Sequence, residues 1–575
     1  MNRHAKRTMQ LTAHSASALV MASLVAAVHA ASCVYDTPSP NCEDRHENCL
    51  PAGTGGQTPD PPDPDPPDPD PPDPPDPEEE TCVPREKPDG VDDACGVFVS
   101  ARGGSSDGAG TKEKPLGSLQ QAIDLAKEKG TARVYACAGR GDGEDFNEAV
   151  EVPGGVAIYG GLDCNDGWKW VGDAKKTSLT AGKGVIPLRM RGLPGTVHIE
   201  DLHVVAQSTE QQDAEGAGLS SIAAIAHSTS VELVRCVLEA GHAEAGGDGA
   251  AHAGLAAQGA RGEVGGNACS AAPEVDVRGG RMVTNECSTS GDADDGSWGG
   301  KGGNGSVNSG DRGDDGRPIL TSINGAENGG VGNNGLHYCA PGRPGNALDD
   351  KTPGRAASGS PGADAMGIGE ISLDGYAGFS GDDGGRGAPG QGGGGGGGER
   401  GVSTATENRY CPGDRSEDRE RRAGAAGGSG GAGGCGGSGG RGGLPGGSSI
   451  ALISLDAALS FEDVTLKAGN GGDGGQGGPG QPGGPGGQGG TGGRVPDGAA
   501  GLLPACDGGT GGTGGTGGKG GGGQGGHSLG IAFRGAPPPT DGATIELGKA
   551  GTGGQGSDAS HSGAPGMAIN TLEFN

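Results

Sequence analysis

The sequence predicts an all-β fold, a parallel β-helix (solenoid) with an N-terminal capping helix and long glycine-rich insertions that are polyglycine II-like or disordered. Three observations predict it. Short alternating apolar runs are bounded by Gly or Pro, as strands are. A unit of two short strands and a bend recurs at one offset, Ile222 with Ile450 and Gly241 with Gly469, 228 residues in each case. Finally, 132 of the 575 residues are Gly, 31% are hydrophobic and 3% aromatic, so any apolar core must lie in the islands between the glycine tracts. Glycine has the most backbone entropy to lose and no side chain to bury against that cost.

Residues 1–30 read as a secretory signal: a basic head (Arg3, Lys6, Arg7), an apolar run from Ala16 to Val28 and the small-residue pattern Val28-His29-Ala30. The run is short for a membrane span. In the Cys-containing segment 31–58, Cys33 follows Ala30-Ala31-Ser32, which is similar to a lipoprotein cleavage box without its usual Leu, so Cys33 is the candidate for lipidation and outer-membrane anchoring. Fourteen cysteines suit an oxidising compartment, and an even total permits complete pairing; lipidating Cys33 leaves an odd number. Residues 59–80 alternate Pro with Asp and end in three Glu, the composition of an extended, self-repelling stalk.

From 82 to 240 the strands begin: Val97-Phe98-Val99, Arg133-Val134-Tyr135-Ala136 and Val156-Ala157-Ile158-Tyr159. One helix interrupts them. Ser118 caps it, Gln121 completes a capping box, Leu119, Ala122, Ile123 and Ala126 form its apolar stripe, and Gly130 ends it. Such a helix suits a lid over an open solenoid end. Val97-Phe98-Val99-Ser100, Asp107-Gly108, the run Gly110 to Leu116, the helix, Tyr159-Gly160-Gly161 and Trp168 together resemble the uncharacterised domain that opens many bacterial parallel β-helix proteins of the pectate-lyase-like class. The resemblance covers about residues 95–205. It implies a right-handed β-helix and export, without implying lyase activity.

Glycine-rich insertions fill 241–447 and 471–527, with a strand-bearing repeat at 448–470 between them and closing strands at 528–575. Runs such as Gly508 to Lys519 place Thr510, Thr513 and Thr516 at every third residue, the turn of a polyproline II-type helix, and resemble the PGRS-type glycine-rich repeats of bacterial surface proteins. These tracts are expected to hang outside the apolar column.

The net charge of -31 opposes nucleic-acid binding, which needs cationic neutralisation. Glu200-Asp201 and Glu462-Asp463 recur at equivalent places, which suits turn capping better than catalysis, because a catalytic pair should not repeat with its scaffold. Trp168 and Trp170 read as packing residues. The nonapeptide calcium pattern lacks its apolar step, so calcium is a candidate ligand without a specific motif, and no other cofactor is implied. Cys95, Cys137, Cys164 and Cys236 are the disulfide candidates. The reading is of a non-catalytic bacterial envelope protein, exported to the outer-membrane surface or beyond, meeting extracellular glycans or neighbouring surface proteins. The alternative is a polysaccharide lyase or glycoside hydrolase.

Overall fold

The chain passes repeatedly through three parallel sheets. In the computed structural model the described residues are 82–138, 146–172, 174–287, 296–319, 327–345, 362–403, 408–413 and 420–575. The signal, Cys33, Cys42, Cys49 and the Pro/Asp stalk lie outside them. The fold is all-β. In spatial order the first sheet contains Val97–Val99, Arg133–Cys137, Ala157–Asp163, Thr196–Glu200, Ser230–Val234 and Ala458–Glu462, with Lys169–Trp170 antiparallel on its third strand. The second contains Phe146–Asn147, Thr177–Thr180, Leu202–Ala206, Val237–Ala240, Val464–Ala468 and Ala543–Leu547. The third contains Val150–Pro153, Leu188–Arg191, Ser221–His227, Ser449–Leu455, Ser528–Arg534 and Ala568–Glu573.

From Arg133 to Val464 the parallel strands visit the three sheets in one cyclic order, first, second, third, while Val283–Glu286 with Gly296–Gly299 and Glu370–Ser372 with Gly375–Ala377 form two separate antiparallel pairs. Each sheet contributes a column of apolar side chains to the core. Val97, Val134, Ile158, Ile199, Leu233 and Phe461 are successive partners in the first. Phe146, Leu179, Val204, Leu238, Leu466 and Ile545 follow one another in the second. Val150, Leu188, Ala224, Leu452 and Ile531 do so in the third. The sequence repeat is thus direct contact: Ile222 pairs with Ile450 across 228 residues. Left-handed residues make the corners, Asp201 (φ 56°), Arg235 (φ 49°) and Asp463 (φ 55°) between first and second sheets, and Ser228 (φ 46°) and Asp456 (φ 52°) between third and first. In the last pass Pro537, Pro538 and Pro539 stand where the chain next faces the first sheet, and proline cannot donate to a ladder, so no further strand forms there.

Leu119–Glu128 is the helix, with Leu119, Ala122, Ile123 and Ala126 buried against the first strands. Ser118 Oγ accepts from Gln121 N (3.3 Å), and the Glu148 carboxylate takes the Leu119 N–H (2.6 Å) and the Ser118 hydroxyl (2.7 Å). Glu148, from outside the helix, thus accepts from first-turn N–H groups that have no partner within it.

All the glycine-rich excursions leave at one corner, between a second-sheet and a third-sheet strand: after Ala240, after Ala468 and after Leu547. They lie outside the apolar core, yet they do not hang free. Within them every third N–H bonds a neighbouring stretch, as Gly384, Gly387, Gly390 and Gly393 bond the carbonyls of Gly440, Gly437, Gly434 and Gly431 at 2.8–2.9 Å. The stretch 427–447 is bonded on six sides. It donates to 300–303, 506–524 and 244–263, and accepts from Gly280, 381–396 and 472–490. Side chains would break these contacts: a Cβ at Gly436 would meet the Gly387 oxygen at 1.7 Å, and one at Gly437 would meet the Gln481 oxygen at 1.7 Å. From Gly427 to Leu444 only the third position carries side chains, in Ser429, Ala432, Cys435, Ser438, Arg441 and Leu444. The uninterrupted run Gly392–Gly398 has all three sides closed, since Cβ atoms at Gly392, Gly393 and Gly394 would lie 1.9–2.1 Å from the oxygens of Trp298, Gly509 and Asn328. The bonding continues into the third sheet, where Gly446 donates to Gln524 and Ser449 to His527.

Candidate functional site

The sequence-predicted acids fall at the corner between first and second sheets, and the two pairs have different fates. Glu462 and Asp463 are exposed. Glu200 and Asp201 are 9% and 1% exposed, because Arg235, the corner residue of the next pass and 6% exposed, covers them. Arg235 Nη2 donates to Glu200 Oε2 (2.6 Å) and Asp201 Oδ2 (2.8 Å), and its Nε to Asp201 Oδ1 (3.1 Å). Trp170 Nε1 donates to Asp201 Oδ2 (2.9 Å) while its ring lies under the guanidinium at 5.5 Å, and Lys176 Nζ is 3.6 Å from Asp201 Oδ1. His198 bridges Glu200 (2.8 Å) and Glu232 (2.9 Å) through its two ring nitrogens.

Burial alone would lower the His198 pKa, but the hydrogen bonds and charges of Glu200 and Glu232 outweigh it and hold it above the usual histidine value. Burial would likewise raise Glu200; His198 and Arg235 outweigh it and hold the carboxyl below its ordinary range. Glu200 is therefore held ionised, and the oxygens of Glu200 and Asp201 are occupied. An acid needs a raised pKa to give up a proton to a leaving group, and a nucleophile needs a free oxygen aimed at solvent; Glu200 is shifted the opposite way, and both side chains are buried under Arg235. It ties together two passes of the chain. The signal available in sequence was the Val234-Arg235 that replaces Glu-Asp at the equivalent place in the middle pass.

The cysteine candidates divide. Cys95 pairs with Cys82, and Cys137 with Cys164. Cys236 is a correction: it is free and buried, its Sγ 3.3 Å from the carbonyl oxygens of Ile199 and Val234, and it faces the apolar core rather than another cysteine. Burial pushes its thiol up to about 12, which makes it unreactive. Three pairs that sequence spacing did not disclose, Cys269–Cys411, Cys287–Cys435 and Cys339–Cys506, link separate glycine-rich stretches. Disulfides of this number belong to an oxidising environment. No helix among the described residues is long and apolar enough to cross a membrane.

Trp168 and Trp170 pack as expected, Trp168 edge-on to Phe98 at 4.9 Å in a ladder that continues through Tyr135 and Tyr159. Among the described residues no group of three His, Cys, Asp or Glu side chains is placed to hold a metal ion. Comparison with known proteins returned no matching family model, no matching curated protein and no matching solved structure.

Proposed function

We propose that the chain is an exported, non-catalytic structural or adhesive protein of the bacterial surface, a right-handed parallel β-helix whose polyglycine II-like plate is the displayed element. The observation that carries the reading is the plate's construction. It is cross-linked by three disulfides and turns a regular row outward: Asp473, Gln476, Pro479, Pro482, Pro485, Gln488 and Thr491 are all exposed at every third residue. At about 3.1 Å per residue the row repeats roughly every 9 Å. A rigid, flat, periodic surface suits repeated weak contacts with a matrix. The Pro/Asp stalk would hold it away from the envelope.

The cysteine count supports anchoring. With ten of the fourteen cysteines in disulfides and Cys236 free, Cys33, Cys42 and Cys49 remain, so Cys33 can carry a lipid while the other two pair. The rival enzyme reading draws on the Glu200–Asp201 pair, and its oxygens are taken up by Arg235, His198, Trp170 and Lys176.

Surface labelling of intact cells, with mass spectrometry of the mature N-terminus, tests the placement. Accessible protein is expected, with acylated Cys33; protein confined to the cytoplasm overturns the reading. Incubation with a polysaccharide panel, with and without calcium, is expected to release neither unsaturated nor reducing ends. Release of either would make it an enzyme.

A further inference from the structure

Trp298, on the strand Gly296–Gly299 that pairs antiparallel with Val283–Glu286, is the tryptophan outside the three parallel sheets, and it lines a cavity of about 530 Å³ together with Met282, Lys301, Asp314, Asp315 and Arg317. That volume is typical of a small-ligand site. The cavity belongs to the glycine-rich plate, and the plate's three-residue period builds it. Trp298 and Arg317 exchange backbone hydrogen bonds at 3.1 and 2.8 Å, and three residues along Asp314 N donates to Lys301 O at 2.8 Å. The side-chain-bearing positions of two adjacent stretches thus face each other as Trp298 opposite Arg317 and Lys301 opposite Asp314. Beneath them the Gly392–Gly398 run fixes both backbones, Gly392 N donating to Arg317 O (2.9 Å), Gly395 N to Asp314 O (2.8 Å), and Gly393 O accepting from Gly300 N (2.8 Å). The backbones that carry these groups are held before any ligand arrives, which leaves only side-chain ordering to the binding step.

The chemistry is equally specific. Asp315 is engaged, its Oδ1 accepting from Arg312 (2.9 Å) and from the N–H groups of Asn328 (2.8 Å) and Gly329 (2.7 Å). Among the described residues the Lys301, Asp314 and Arg317 side chains have no hydrogen-bond or ion-pair partner. Two free cations, one free carboxylate and an indole remain around the cavity, on a chain whose net charge is -31. An indole face suits the apolar face of a pyranose ring. A guanidinium forks onto a carboxylate or sulfate group. A lone carboxylate accepts from sugar hydroxyls.

We propose that this cavity binds an anionic saccharide, a pyranoside carrying a carboxylate or sulfate group, with Trp298 as platform, Arg317 and Lys301 on the anionic group and Asp314 on ring hydroxyls. The proposal rests on the surface-protein reading and names the class of glycan for it. The test is calorimetric titration of the full chain with oligosaccharides of glucuronic acid, sulfated dextran oligosaccharides and neutral dextran oligosaccharides. Binding of either anionic series at least about tenfold tighter than the neutral one is expected, and the tighter series identifies the anionic group. Trp298→Ala should weaken binding by about tenfold or more. Arg317→Ala should abolish the preference for anionic over neutral sugar. Lys301→Ala, at an exposed side chain, repeats the charge test should the tryptophan variant fail to fold. Binding that is absent, that favours the neutral series, or that survives both Trp298→Ala and Arg317→Ala overturns the proposal. Surface labelling is read separately, so a labelled protein that binds no anionic sugar sinks only this site.

Discussion

The stacked strands and the glycine plate solve the same problem, ordering a long chain, by opposite means. In the strands, apolar side chains meet in a core, and each CH₂ removed from water contributes about 0.8 kcal/mol. In the plate, side chains are excluded so that backbones can meet, and each net hydrogen bond is worth only ~1 kcal/mol against an ordering cost of about 1–2 kcal/mol per residue. The plate has little surplus of its own. Its three disulfides span 142, 148 and 167 residues, and closing loops that long removes on the order of 4–5 kcal/mol of unfolded-state entropy each in the chain-entropy model. Side-chain burial stabilises one region; cross-links and backbone fit stabilise the other.

Breaking the comparison on the strand side should give the largest effect. Arg235→Ala leaves Glu200 and Asp201 buried without their cation, and a loss of about 3–5 kcal/mol in chemical denaturation is expected. A change below ~1 kcal/mol would show the corner to be ornamental. On the plate side, Cys287→Ser with Cys435→Ser should cost about 2–4 kcal/mol, read by hydrogen exchange as faster opening of the plate amides while Leu202–Ala206 stays protected. Equal acceleration in both would mean that the two regions unfold as one.

A finer distinction lies within a single triplet. Gly437→Ala forces a Cβ against the Gln481 carbonyl and should cost roughly 1–3 kcal/mol, whereas Ser438→Ala, one residue on, should stay within ~0.5 kcal/mol. Similar values for both would remove the argument from backbone contact.

Acidification should give the smallest effect, with opposite sign in the two regions. His198 titrates above its usual value, so its contribution is present below the unfolded pKa and is lost as pH rises through the folded one. His527, where the plate meets the third sheet, is the reverse. Burial lowers its pKa despite its hydrogen bond to Ile368 O (2.8 Å), and its Nδ1 accepts from Met567 N (2.9 Å). Its contribution is present above the unfolded pKa and is lost as pH falls through the folded one. Hydrogen exchange at pH 5 and 7.5 should therefore show the first-sheet corner tightening and the strand at Ser528 loosening on acidification.

The sheet repeat was legible because inward side chains must match from pass to pass: Ile222 pairs directly with Ile450, and Val231 stacks between Val197 and Leu459. The helix was legible through Ser118 and its apolar stripe. The plate was legible only as period three, since glycine carries no signal of which stretch it meets or in which direction. Yet run length was informative in hindsight: stretches with one side chain in three are closed on two sides, and Gly392–Gly398 is closed on all three. Arg235 carried no reading from the sequence, and Cys236 was expected in a disulfide that does not form. The acid pairs were compared as repeats when the residue that decided their role was the one breaking the repeat.

Because each glycine excursion departs and returns at the same corner, height and breadth are set by separate parts of the chain. Adding passes would make the molecule taller, while lengthening an excursion by multiples of three residues would widen it and leave every strand register unchanged. The height of the strand stack and the area of the glycine-rich face can therefore change independently.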